Sequence, residues 1–435
     1  MKKLTKNLVA LLCCMALLAT TVNFTMVTKT VKKAAKDPVT LTLLIDNTNT
    51  LVSMNATIAA FEKKTGIKTE IELKPSGAEG DNILKTRLAT GDMTDLCLYN
   101  TGSLFTVLNP EANFVDVTKE AFVATLDNGF KSTVTDKGKV YGIPAGSSFA
   151  GGWLYNKKVY AKLGLKAPKT WAELLKNCAI VKAAKLVPVI GSYKDSWTAQ
   201  LILLSDYYNV QAKMPTFANL FTANKAKYAT TKVALRAWEK QQQIFKLGYM
   251  NKEFLTTSFD AALKMLADGK GAMYPMLTAV LSNIQKASPT KVNDIGFFPQ
   301  PGDNASSNGI TVWEPAGIYI SKLSKNIDAA KQWLAFYISP EAIALQAALE
   351  KPQGPYVVKG AKLPADSYTA VKDMIPYFNA GKTCPALEFI SPLKGPNCPQ
   401  LTVQNGSGVK TPKQNAAEYD KDVEKQAKQI GAAGW

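Results

Sequence analysis

Residues 39–100 switch back and forth between strand and helix periodicity, and this alternation restricts the possible folds more than any other feature of the chain. VTLTLLI (39–45) is a β-rich apolar run ending in polar DNTNT. LVSMNATIAAFEKKTG follows, with Leu51, Met54, Ile58, Ala59 and Phe61 close to helical spacing and Gly66 as the stop. IKTEIEL alternates as a strand, NILKTRLATG reads as a helix closed by Gly91, and DLCLYN is a third strand. A β-α-β-α-β succession predicts an α/β body on a mostly parallel sheet. In such sheets ligands meet the loops at the carboxyl ends of the strands, which here are 46–50 and 100–103.

Downstream the pattern changes. KVYGIPAGSS (139–148) breaks it with Pro and Gly, and GGWLYN starts a new strand. Thr170 is an N-cap for the helix in PKTWAELL, and VPVIG is a short strand. Residues 200–285 read as mainly helical, with FDAALKMLADGKGAM closed by a Gly. DIGFFPQPGD is a strand entering a turn, ITVWEPAGIYIS one more β run, and DAAKQWLAFYISPEAIALQAAL a strong helix. A chain of 435 residues is too long for one small core, so two domains or a two-lobed body are expected.

The first residues, MKKLTKN then LVALLCCMALLA, form a basic segment and a short apolar one, the pattern of an export signal, with an uncleaved anchor as the alternative. Cys13 and Cys14 follow Leu12 and Cys13, not the small residue a lipidation site requires. The formal charge is +18; seven lysines in the first 36 residues leave +11 for the body, which favours an anionic envelope surface. Cys97 and Cys178 lie in apolar patterns and read as buried thiols, whereas Cys384 and Cys398 bracket a Pro- and Gly-containing loop that a disulfide could close. There is no histidine, which excludes Ser-His-Asp and Cys-His catalysis and His-ligated zinc.

The remaining chemistry is sparse. GKGAM lacks the phosphate-loop pattern, and DNTNT lacks the Gly and Glu of a calcium loop; no metal or cofactor is expected. Asp46, Asp92, Asp95, Asp195 and Glu314 are candidates for a glycosidase pair. Lysines are spread along the chain and mixed with acids, which argues against nucleic acid. Trp171, Trp238 and Trp333 follow caps or sit in amphipathic helices and read as core. Trp153, Trp197 and Trp313 lie at strand starts or in polar loops, where a ring can cover a sugar face while neighbouring polar side chains bond its hydroxyls.

Taken in order, IAAFEKKTGIKTEIEL, LKTRLATGDMTDLCL, VYGIPAGSSFAGGWLYNKKVYAKLGLKAPKTWAELL, MLADGKGAMY, IGFFPQPGD and SKNIDAAKQWLAFYISPEA resemble the family 1 extracellular solute-binding proteins, the carbohydrate receptors of ABC importers. The resemblance runs from about residue 39 to 355. It implies an α/β fold of the periplasmic-binding-protein type, with two lobes, three interlobe crossings and hinged closure on the ligand. Placed on this sequence, residues 1–37 are signal and linker, 38–145 plus 312–352 the first lobe, and 146–311 plus 353–435 the second. The family's loop after GKGAM commonly carries Gly and Trp; here it reads YPMLTAV, so that stacking platform is missing. The expected ligand contacts are Asp46, Asn47 and Asn100 from the first lobe and Ser147, Lys194 and Asp195 from the second, with Trp153, Trp197 and Trp313 as stacking surfaces; Tyr155 and Asn156 are expected to be structural. The implied function is capture of a carbohydrate by an exported monomer and delivery to an ABC permease, without catalysis. A secreted carbohydrate-active enzyme using two carboxylates is the alternative, and an envelope-binding protein working through its basic surface is a third.

Overall fold

A computed structural model describes residues 39–47, 51–75 and 77–435, with the side chains of residues 77 and 78 excepted; Pro38–Trp435 form one compact unit. The export signal, with Cys13 and Cys14, lies outside the described residues. The strands are β1 (Thr40–Asp46), β2 (Lys68–Lys74), β3 (Leu96–Tyr99), β4 (Thr135–Asp136), β5 (Lys139–Val140), β6 (Gly142–Pro144), β7 (Phe149–Asn156), β8 (Val187–Val189), β9 (Gly271–Leu277), β10 (Ile295–Pro299), β11 (Ile310–Trp313), β12 (Gly317–Ile320) and β13 (Thr383–Pro385).

Two sheets organise them. The first has the order β2-β1-β3-β12-β6; β1, β2 and β3 are parallel, and β12 runs antiparallel to both β3 and β6. The expected β-α-β-α-β unit is therefore present, with helices Val52–Thr65 and Gly77–Thr90 as its crossovers. The second sheet runs β13-β11-β7-β9-β8, with β10 also paired to β7. Hairpin β4-β5 stands apart.

Each sheet has its own apolar packing. Leu41, Leu43, Phe105, Tyr319, Trp333 and Leu334 belong to one continuous core around the first sheet. Around the second sheet, Leu154, Tyr274, Phe297 and Met374 pack in one cluster, while Trp153, Trp171 and Phe298 pack in another. The chain passes between the sheets three times: between β6 and β7, between β11 and β12, and between helices Pro340–Leu349 and Thr369–Asn379. The first and third passages are bonded to each other: Ser148 Oγ donates to the Pro355 carbonyl at 2.9 Å, and Ser147 bridges Tyr356 in antiparallel register.

Three local expectations change. ITVWEPAGIYIS is not one strand; Pro315 has no N–H to continue a ladder, and the two halves join different sheets as β11 and β12. The long helix around residue 339 is two helices, because Ser339 caps a new start through Ala342 N and Pro340 occupies its first turn. Gly269, at φ +70°, closes helix Phe259–Ala267 as expected, but the apolar residues after it begin β9, a strand inside a stretch read as mainly helical and buried along nearly its whole length. Thr170 caps its helix as expected, accepting from Glu173 N at 3.2 Å. All four described cysteines are buried and unbridged, so no disulfide closes the loop between Cys384 and Cys398. Burial raises each thiol well above its ordinary range, leaving little nucleophilic thiolate.

Candidate functional site

At the carboxyl edge of the first sheet three expected contacts come together. Asp46 ends β1 and its carboxylate is ion-paired with Lys74, the buried last residue of β2. Asn47 is exposed and its N–H donates to the Lys74 carbonyl at 2.8 Å. Asn100, exposed after β3, accepts at its carbonyl from Tyr319 Oη at 3.0 Å. Burial, and then the charges of Asp81 and Asp46, push the Tyr99 phenol upward, so this edge is a crowded acidic corner held together by Lys74.

The second-sheet candidates lie in two places. Asp195 Oδ2 accepts from Phe259 N at 2.7 Å, which anchors the start of helix Phe259–Ala267. Trp197 is 37% exposed, with its ring 5.2 Å from that of Phe259, and Lys194 is exposed beside it. Trp197 is therefore a surface a sugar could reach. The other two tryptophans are not. Trp153 is fully buried, stacked on Phe298 at 6.1 Å, with Nε1 donating to Gln300 Oε1 at 2.5 Å. Trp313 is buried too, and its Nε1 donates to Glu388 Oε1 at 2.5 Å. The glycines before Trp153 explain the misreading: a Cβ on Gly151 would lie 2.3 Å from the Trp313 ring, so this strand is stripped of side chains to seat a ring, not to form a loop. Asn156 is structural, capping the next helix through Val159 N and donating to the Leu266 carbonyl.

A space that could take a ligand lies beside the three passages. It is a cavity of about 750 Å³, within the size range of small-molecule sites. Of the expected contacts Ser147 lines it, and its Oγ accepts from Gln353 N at 3.2 Å. The first-sheet body contributes Ser53, Leu98, Gln346 and Glu350; the second contributes Ser282, Gln285 and Lys286 from helix Leu281–Ala287. Phe149, Tyr356 and Tyr368 add ring surface from the passages or next to them. Gln353 Nε2 reaches across to Ser282 Oγ at 2.8 Å, and Ser53 Oγ donates to the Glu350 carboxylate. Sequence reading missed most of these residues. The signals it offered were the Pro- and Gly-rich KPQGPY loop and the i, i+3, i+4 polar face formed by Ser282, Gln285 and Lys286.

Residues 47–344 match the family model of the bacterial extracellular solute-binding proteins. The chain belongs to that family. Among characterised relatives of this solute-binding protein, the multiple sugar-binding protein of Streptococcus mutans serotype c is 25% identical over 341 residues, covering 76% of this chain and 78% of the relative. Two solved structures share the fold. A chitin oligosaccharide binding protein aligns with TM-score 0.72 and 20% identity over 90% of this chain and 99% of that one. RafE in complex with raffinose aligns with TM-score 0.70 and 19% identity over 89% and 99%. Among the described residues no helix is long and apolar enough to cross a membrane, and no cluster of His, Cys, Asp or Glu could hold a metal.

Proposed function

We propose that this solute-binding protein captures a carbohydrate in the cavity beside the three passages and delivers it to the permease of an ABC importer. The observation that carries the reading is the lining itself: both bodies and the segments joining them contribute, and they combine aromatic rings with hydroxyl and amide groups. Phe149, Tyr356 and Tyr368 supply apolar faces for the C–H side of a sugar ring; Ser53, Gln285 and Gln353 supply donors and acceptors for its hydroxyls. A ligand that touches both bodies at once stabilises the arrangement in which they face each other, and the bound form differs from the empty one for that reason. The sugar-binding relative and the raffinose and chitin oligosaccharide receptors with this fold support the same reading.

A hydrolase is disfavoured by the same lining. Glycoside hydrolysis uses two carboxyl groups flanking the bond, and Glu350 is the single carboxylate among the described residues lining the cavity. Asp195 is committed to a helix start and Asp46 to Lys74.

The test is calorimetric and thermal. Protein beginning at Pro38 is titrated with mono- and oligosaccharides, including raffinose and chitin oligosaccharides, and its melting point is followed. A ligand at a hundred times its Kd is expected to add about 2.7 kcal/mol to stability. Phe149→Ala and Gln285→Ala are each expected to weaken binding by about tenfold, the size of one lost ring contact or hydrogen bond. A melting point unmoved by every sugar, or affinity unchanged in both variants, would sink the assignment.

A further inference from the structure

We infer that the second body holds a further binding site, outside the carbohydrate cavity, that takes a hydroxylated phosphate such as a sugar phosphate. It is a pocket of about 690 Å³ between the start of helix Lys232–Lys246, helix Tyr207–Lys213 and the loop after β10. It shares no lining residue with the cavity beside the three passages.

The floor of this pocket presents acceptors that lack a donor. Asn209 lines it and is only 7% exposed. Both protons of its amide are used: Nδ2 donates to Asp206 Oδ1 at 2.8 Å and to the Gln300 carbonyl at 3.1 Å. Those two bonds fix which way the amide points, and its Oδ1 is buried without a hydrogen-bond partner. That oxygen faces Gly302, another lining residue. A Cβ on Gly302 would lie 2.5 Å from Asn209 Oδ1 and 3.7 Å from the Asn304 carbonyl oxygen. The missing side chain leaves room beside two oxygens, one of them an unmet buried acceptor, which is costly until a donor reaches it. A ligand hydroxyl is such a donor; an ionised phosphate oxygen is not.

The rim has the opposite chemistry. Thr231, Lys232 and Val233 line it at the start of a 15-residue helix, and the Thr231 side chain caps none of the first-turn N–H groups. Ala234 and Leu235 donate to the Thr231 carbonyl, each at 2.9 Å, and the N–H groups of Lys232 and Val233 have no acceptor within the helix. The acids of the lining are already paired. Arg236 holds Asp303 through two bonds, at 2.9 and 3.0 Å, and reaches Glu239 at 3.3 Å, while Lys240 holds Asp206. Lys213 and Lys232, both exposed, make no ion pair among the described residues. Two unpaired ammonium groups at a helix N-terminus match the charge of a phosphate monoester. One molecule meets both demands when it carries hydroxyls at one end, for the floor, and phosphate at the other, for the rim.

Calorimetric titration of the protein beginning at Pro38 tests the site, with glucose 6-phosphate and inorganic phosphate as probes. Glucose 6-phosphate is expected to bind at least tenfold more tightly than inorganic phosphate, which cannot use the floor. Lys213→Gln combined with Lys232→Gln is expected to weaken glucose 6-phosphate by about tenfold or more, the size of one lost charge-assisted contact. Gly302→Ala, which puts a methyl group against Asn209 Oδ1, should weaken it to a similar extent; the melting point shows whether that variant still folds, and the exposed lysine pair decides the matter if it does not. Phe149→Ala, a change in the other cavity, should leave glucose 6-phosphate within about twofold. Affinity untouched by loss of both lysines, affinity lost with Phe149→Ala, inorganic phosphate binding as tightly as glucose 6-phosphate, or no binding of either probe would each overturn the site.

Discussion

Replacing Lys240 with methionine is expected to destabilise the protein by about 3–5 kcal/mol, the usual cost of removing one partner from a buried ion pair. Lys240 Nζ lies 2.6 Å from Asp206 Oδ1, and both side chains are only 1% exposed. The ammonium also donates to the Pro301 carbonyl at 2.9 Å and lies 5.6 Å from the Trp171 ring centroid. Asp206 Oδ1 accepts in turn from Asn209 Nδ2 at 2.8 Å. Burial pushes the Asp206 carboxyl upward, and the neighbouring Lys240 charge is the largest influence holding it down. Without that charge the carboxylate is stranded or must take up a proton. Four segments would lose their common tie: helix Lys232–Lys246, the loop after β10, the start of helix Tyr207–Lys213, and the ring beneath helix Trp171–Ala183.

The double variant Lys240→Met with Asp206→Asn separates charge from shape. It leaves no buried ion, so it is expected to recover more than half of the loss. Urea unfolding followed by fluorescence would show the single variant's midpoint shifted down at nearly unchanged slope. A single-variant loss below about 1 kcal/mol would mean that water reaches the pair, and the burial argument would fail.

The division of the chain into sheet and helix was legible wherever one face of an element is apolar and the other is not. Within residues 39–100, β3 is buried at every position and was legible for another reason, as a short apolar run between turn residues. The division was not legible at β9. β9 carries a Pro275 and a continuous apolar run, so neither period two nor period 3.6 marks it. Trp153 shows the same limit. Next to Gly151 and Gly152 it looked like a loop aromatic, but those glycines make room for the Trp313 and Phe297 rings, contacts between residues 145 or more apart in sequence. The cavity lining was hidden for a related reason. Ser53, Ser147, Gln285 and Gln353 meet only because three passages fold the chain back on itself; the polar face at Gln285 and the loop at Gln353 are visible locally, but nothing local says that they meet. What the sequence did carry was the order of its segments, which pointed to the family before any single residue could be placed.

The second large effect concerns pH, and Glu314 is its source. This residue sits in the short segment between β11 and β12, one of the three passages, and is only 7% exposed. Burial, with the nearby Asp127 carboxylate adding to it, raises its carboxyl from an ordinary 4.5 to about 8. Its Oε2 is buried with no hydrogen-bond partner. In the folded protein it is therefore neutral at pH 7, while in the unfolded chain it ionises above about 4.5. Between these two values the folded state holds one more proton, and each rise of one pH unit costs about 1.4 kcal/mol of stability. The penalty is absent below pH 4.5, grows to roughly 3 kcal/mol at pH 7, and is complete above pH 8. Glu314→Gln keeps the shape and removes the proton, so unfolding free energies of the two proteins should diverge steadily from pH 5 to 8. The variant should be the more stable at the alkaline end. Parallel curves would show that the carboxyl ionises freely in the folded state, because water enters the passage between the sheets. The same comparison would then locate a weak point in the segment that joins the two sheets.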